Sequence, residues 1–179
     1  MLGKLKEVLA KKSVEAYNAS EVDKSACKFN FTATNMRFNK VEGFFAKAEM
    51  DIVFNIKDLD NSFIKISWPV EGIRTGIADR DKQLIEAEHF FNANEHPNIY
   101  FESKQLTLEG KKQILVLGTL EIKGIKKEIA LYMGYTLDKY EYQLFVDYSL
   151  DRFEFQIGEN GSFSIGRQIE LALDITVKL

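Results

Sequence analysis

The sequence has a single cysteine, Cys27, so no intrachain disulfide can form and the fold must hold without a covalent staple. Only 2 prolines are present, which excludes collagen-like and low-complexity architectures. Neither sign of charge dominates: 24 Lys and Arg face 27 Asp and Glu, for a net charge of -3. Such a balance leaves no electrostatic footprint for DNA or RNA, and no nucleic-acid partner is expected. No segment approaches the roughly 20 consecutive apolar residues of a membrane span, so stable membrane insertion is not expected. A secretory signal needs an apolar stretch of about 7–15 residues, and Lys4, Lys6, Glu7, Lys11 and Lys12 interrupt every such run at the N-terminus. As given, the chain reads as cytoplasmic, and as periplasmic if a signal has been removed. Apolar matter, by contrast, is plentiful. The chain is 45% hydrophobic, enough for a packed core, and disorder is excluded. Its aromatics are biased, with 14 Phe against 7 Tyr and 1 Trp, and a core does not need so many rings.

The apolar periodicity changes along the chain. Leu2, Leu5, Val8 and Leu9 form one stripe of a short helix over residues 1–12. It reads as a flap docked on the domain or as a weak membrane-surface helix. From residue 26 the period is 2, the mark of half-buried antiparallel strands. Cys27, Phe29, Phe31 and Ala33 share a face over 26–34, and Phe44, Ala46, Ala48, Met50, Ile52, Phe54 and Ile56 share one over 44–56. Further strands are expected at 62–69, 98–108, 112–123, 126–137, 141–155 and 168–178, with a hairpin turn at Glu109-Gly110. Residues 78–91 lack this alternation, are rich in helix formers, and predict a helix of about three turns started by Thr75 or Asp79. Pro97 returns the chain to strand. The expected fold is all-β: residues 13–179 form one domain of about eight amphipathic strands, which must pack as a sandwich or close as a barrel. A barrel of about eight strands can fill its interior or hold one small ligand. Ala46, Ala48 and Gly118 are small residues on bulky inward faces; they leave volume for a cavity, or admit a closely packed helix.

No residue pattern points to catalysis or to a metal. His89 and His96 are not spaced to share a helix face, and Cys27 lies far from both in sequence, so the three or four ligands of a zinc site are not assembled. Cys27 reads as a buried thiol rather than a nucleophile. Gly158, Gly161 and Gly166 read as turns rather than a phosphate-cradling loop. The apolar interior is the one candidate site.

Residues 75–103, TGIADRDKQLIEAEHFFNANEHPNIYFES, carry a recognisable pattern: Thr75-Gly76, Arg80-Asp81, Leu84, Phe90-Phe91, Pro97, then Phe101 and Ser103. Gly118 to Gly124, Asp151-Arg152 with Phe155, and Phe29 to Gly43 extend it. Together these resemble the YceI-like family. Asn35 and Gln83 stand where the family often has His, and Lys126-Lys127-Glu128 replaces its Thr-Lys-Pro.

The resemblance implies a lipocalin-like antiparallel barrel with an elongated apolar channel. It implies a polyisoprenoid- or lipid-binding protein without catalytic residues, often dimeric. The channel would be lined from the inward faces by Phe29, Phe31, Phe44, Ala46, Ala48, Met50, Ile52, Phe54, Ile66, Trp68, Phe101, Val116, Gly118, Leu120, Val146, Tyr148, Leu171 and Leu173. The partner would be an apolar small molecule: a polyisoprenoid, an isoprenoid quinone or a fatty-acid derivative, bound for transport, storage or sensing. No other cofactor is expected. An enzyme acting on such a lipid and a ligandless stress-response module are the alternatives. Arg80-Asp81 and Asp151-Arg152 read as structural pairs that fix the helical excursion to the barrel.

Overall fold

The structure is a computed structural model that describes residues 21–35, 38–158 and 165–179. The helix expected over residues 1–12 lies outside them. In chain order the described elements are β1 (Glu21–Val22), β2 (Lys28–Asn35), β3 (Asn39–Phe45), β4 (Glu49–Val53), β5 (Phe63–Pro69), β6 (Ile73–Arg74), α1 (Ala78–Glu86), β7 (Asn98–Glu109), β8 (Gln113–Ile122), β9 (Ile125–Leu137), β10 (Glu141–Asp151) and β11 (Ile165–Lys178). Short 3-10 turns occupy Leu59–Asn61, Val70–Gly72 and Arg152–Phe155.

All strands join one curled antiparallel sheet in the order β4-β5-β7-β8-β9-β10-β11-β2-β3-β6, with β1 on β11. The two ends of that order meet. β3 and β4 are one line of chain bent at residues 46–48, and β5 and β6 are one line bent at Val70–Gly72. The lines run antiparallel, with Glu49 opposite Ser67 and Phe45 opposite Ile73. The Ala46 N–H donates to the Gly72 carbonyl at 2.8 Å where they bend. Counted as lines, the strands number about eight and form the lipocalin-like barrel expected from the alternation. Closure removes the unpaired edges that an open sheet of this length would expose.

The bend at 46–48 changes the phase of the alternation. Before it, Val41, Gly43 and Phe45 face inward; after it, Met50, Ile52 and Phe54 do. The inward set switches from odd to even numbers, so the single strand expected over 44–56 is two half-strands. Phe44 is consequently outside, 48% exposed, and Ala46 is exposed with it. One residue of slip at an irregularity moves every following side chain to the other face.

The helical excursion is shorter than expected. α1 stops at Glu86 because Ala87 turns extended, at ψ 133°. The chain then folds back along the helix. Phe91 N–H donates to the Leu84 carbonyl at 3.1 Å and Ala93 N–H to that of Ile85 at 2.8 Å. The fold-back half-buries Phe90 and Phe91 against the core. Neither Thr75 nor Asp79 caps the helix by its side chain; Ile77 precedes it. The β8–β9 hairpin turns at Lys123 (φ 54°) and Gly124 (φ 72°), two left-handed residues whose twist matches the flanking strands.

The barrel's two ends differ. The end bearing the β7–β8 and β9–β10 turns is solid: Phe54 packs edge-on to Tyr142 with ring centroids 4.9 Å apart, amid fully buried Ile114, Met133, Leu144 and Val177. Gly118 serves this packing. A Cβ there would lie 2.7 Å from the Phe101 ring and 2.7 Å from the Glu102 carbonyl oxygen. The missing side chain is therefore replaced by a neighbouring ring and leaves no cavity. Gly118→Ala is expected to cost about 1–3 kcal/mol by overpacking, read as a lowered midpoint in urea denaturation with an unchanged slope.

Candidate ligand-binding cavity

The other end of the barrel is hollow. Strands β2 and β3, the end of β5, β6, the start of β7, the ends of β8 and β10, and the first part of β11 surround a cavity of about 210 Å³. Its aromatic wall is built from Phe29, Phe31, Phe45 and Trp68. Phe29 meets the Trp68 indole edge-on at 5.5 Å, and Phe31 meets Phe45 at 5.9 Å. Phe45 and Trp68 are tilted at 6.4 Å. These quadrupole-matched contacts fix the rings and leave the wall rigid. Ile99, Leu120, Leu171 and Leu173 supply the aliphatic wall, and Leu84, Phe90 and Phe91 of the excursion close over the end.

Of the residues expected from alternation, Phe29, Phe31, Trp68, Leu120, Leu171 and Leu173 are brought together around the cavity. Ile52, Phe54, Ile66, Phe101, Val116, Gly118 and Val146 are buried but do not border it. Ala48, Met50 and Tyr148 are half-buried away from it, and Phe44 and Ala46 face out. Alternation tells inside from outside; it does not tell depth along the barrel axis. Ile122, Leu150 and Ile169 carry the same period and line the cavity, and so do Phe45 and Ile73 beside the bends.

Polar groups at this end hold the cap. Arg152 is 1% exposed and borders the cavity. It donates from Nε to the Gly166 carbonyl (2.8 Å), from Nη1 to that of Ile157 (2.6 Å) and from Nη2 to that of Ile165 (2.9 Å). Its guanidinium thereby gathers both flanks of the connection from β10 to β11. Burial pushes the Arg152 pKa down, opposed by the charge of Asp151. Asp151 pairs not with Arg152 but with Arg167, 2.6 Å from Nη2. That hydrogen bond, more than the adjoining charges, holds the Asp151 carboxyl below the usual carboxylate range.

A second cluster shapes the entry to α1. The Asp81 carboxylate accepts from the Thr75 N–H at 2.8 Å and from the Thr75 hydroxyl. Arg80 donates from Nε to that hydroxyl and from Nη2 to the Thr75 carbonyl, both at 2.7 Å. The excursion is tied down elsewhere. Gly158 N–H donates to the His89 carbonyl, and Lys123 Nζ donates to the carbonyls of Glu88 (2.8 Å) and Gln156 (3.1 Å). Arg80, Asp81, Asp151 and Arg152 are thus engaged in structural bonds.

Cys27 is half-buried, and its thiol donates to the Asp23 carbonyl at 3.3 Å. Burial raises its pKa, which keeps it protonated and a poor nucleophile. Among the described residues no three His, Cys, Asp or Glu side chains converge as metal ligands.

Arg152→Met keeps much of the side-chain volume but strands three carbonyl acceptors in the cap. Since a buried unpaired group costs about 1–3 kcal/mol and only the Ile157 bond is fully buried, a loss of about 1–3 kcal/mol is expected in urea denaturation. Arg152→Lys recovers only part, because an ammonium cannot reproduce the planar fork.

Comparison with known proteins agrees with this architecture. The YceI-like domain model matches residues 21–177. A UPF0312 protein of Azotobacter vinelandii is 24% identical over 102 residues, 57% of this chain and 53% of the relative. A UPF0312 protein of Photorhabdus laumondii is 24% identical over 101 residues, 56% of this chain and 52% of its own length. The aligned part therefore spans about half the length of these curated relatives. Among solved structures, BcnA of Burkholderia cenocepacia superposes with a TM-score of 0.82 at 16% identity, covering 87% of this chain and 99% of that one. A domain from Saccharophagus degradans, described as polyisoprenoid binding and implicated in plant cell wall breakdown, superposes at 0.73 with 11% identity, covering 90% and 98%. At such identities the likeness establishes the fold.

Proposed function

Because the chain belongs to the YceI-like domain family, we propose that its capped cavity binds one long apolar molecule: a polyisoprenoid, an isoprenoid quinone or a fatty-acid derivative. The observation that carries this reading is the asymmetry of the barrel interior. One end is packed solid, while the other is held open by a rigid aromatic wall and closed by a hydrogen-bonded cap. A hydrocarbon chain gains about 25 cal/mol for each Å² removed from water, so such a site needs a dry wall and few polar anchors. The polyisoprenoid-binding description of the Saccharophagus domain supports the same ligand class.

The reading is of a binding protein rather than an enzyme. The ionisable groups around the cavity, Arg80 and Arg152, spend their donors on backbone carbonyls and the Thr75 hydroxyl. Holding an apolar chain out of water serves carriage, storage or sensing equally well.

Native mass spectrometry of protein purified from its own host, followed by organic extraction, tests the proposal. A lipid adduct is expected, and Leu171→Trp, which fills the cavity from β11, is expected to abolish it while the far-ultraviolet spectrum keeps its sheet signature. Repeated preparations without adduct, or an adduct unaffected by filling the cavity, would overturn it.

A further inference from the structure

The outer wall of the barrel is charged along one part of the sheet and apolar along another. On β5, β7, β8 and β9 exposed side chains form cross-strand ion pairs: Lys65 with Glu102, Lys104 with Glu128, and Lys126 with Glu121. Nearer the solid end the outward positions of β8, β9 and β10 are apolar instead. Leu117 lies opposite Ala130, Leu115 opposite Tyr132, and Phe145 opposite Gly134, two residues on from Tyr132. All of them alternate with the buried Ile114, Val116, Met133, Leu144 and Val146, so they face out. Leu117, Tyr132 and Phe145 are 38%, 54% and 44% exposed. A Cβ at Gly134 would overlap the Phe145 ring, which therefore rests on bare backbone and lies along the sheet. Single exposed apolar residues need no explanation, but contiguous ones mark a surface that something covers. Two carboxylates border this face. Asp174 lies directly opposite Phe145 and Asp147 follows it on β10, and neither has an ion-pair partner among the described residues.

The chain itself carries a complement. Residues 1–20 precede β1, outside the described residues, and hold four lysines against two glutamates. Leu2, Leu5, Val8 and Leu9 form one apolar stripe at helical spacing, and at 100° per residue Lys4 and Lys6 flank it on either side. The reach is sufficient. Glu21 of β1 and Glu141 of β10 both lie opposite Lys178 of β11. Phe145 is therefore two strand spacings across and four residues along from Glu21, about 16 Å away. Residues 13–20 span up to about 26 Å when extended, and a helix of twelve residues is about 18 Å long, enough to cross three strands. We propose that residues 1–12 dock as an amphipathic helix on the outer face of β8, β9 and β10. Their leucine stripe lies on Leu117, Tyr132 and Phe145, and a flanking lysine meets Asp147 or Asp174.

Hydrogen exchange of the full chain, read peptide by peptide in a mass spectrometer, tests the docking. Amides of residues 2–12 are expected to exchange about tenfold or more slowly than in a synthetic peptide of residues 1–20. Tyr132→Lys combined with Phe145→Lys places like charge on the face and is expected to return that exchange to the peptide's rate. Amides of β7 and β8 then keep their protection, which shows that the barrel is still folded. Leu5→Lys with Val8→Lys leaves the barrel untouched and is expected to have the same effect. Asp147→Asn with Asp174→Asn is expected to remove part of the protection. Exchange at the peptide's rate in the unaltered chain would overturn the proposal, and so would protection that survives the lysine substitutions on the face. Protection that grows with protein concentration would give the face to a second copy, and protection seen only with phosphatidylglycerol vesicles would give the segment to a membrane surface; either result overturns the docking. The lipid cavity is tested separately, because none of these residues borders it.

Discussion

Closure of the sheet is the constraint on which the structure depends. Each long strand is apolar on one face, and that face must leave water. Wrapping the sheet until β3 meets β6 and β4 meets β5 turns every apolar face toward one interior and pairs the edges at the same time. The bends at 46–48 and 70–72 permit this, because two straight lines could not follow the curvature of the wall. Once the barrel is closed, strand number sets its width, and side chains must either span the interior or leave space within it. This chain does one at each end.

The abundance of phenylalanine follows from that division. At the solid end Phe54 and Phe101 span the interior, the latter over Gly118. At the hollow end Phe29, Phe31 and Phe45 stand against one another and against Trp68, so that rings meet rings and the wall does not collapse inward. Phe31 lies across Gly43 on β3, and Phe145 across Gly134 on β9, each using the room of a cross-strand partner without a side chain. A flexible aliphatic residue would settle into such a gap; a flat ring covers it and stays extended. The rings therefore act as spacers as much as filler, and aromatic count alone reveals neither role.

The alternation of residues made the barrel legible, and the pattern at 75–103 made its family legible. Position within the barrel was not legible. Val116 and Leu120 share one face of β8, yet Val116 is core and Leu120 borders the cavity, because the chain climbs the wall between them. The alternation put Phe44 on the inward face, whereas the bend turns Phe44 outward and assigns Phe45 to the interior. The helix formers at 78–91 carried no sign that Ala87 would reverse the chain. Each miss concerns long-range geometry: a depth, a phase shift or a fold-back fixed by contacts distant in sequence.

The polar groups of the hollow end divide into two kinds. Arg152 gives donors to carbonyls on both flanks of the β10–β11 connection, and Arg80 and Asp81 organise the turn before α1. These bonds are local to the cap, and their geometry is complete without a ligand. Trp68 Nε1 and Asn35 Oδ1 are the exceptions, buried without a hydrogen-bond partner among the described residues. The cap's guanidinium and carboxylate groups are thus consumed in holding the chain together, and the apolar side chains are left to form the wall that faces the interior.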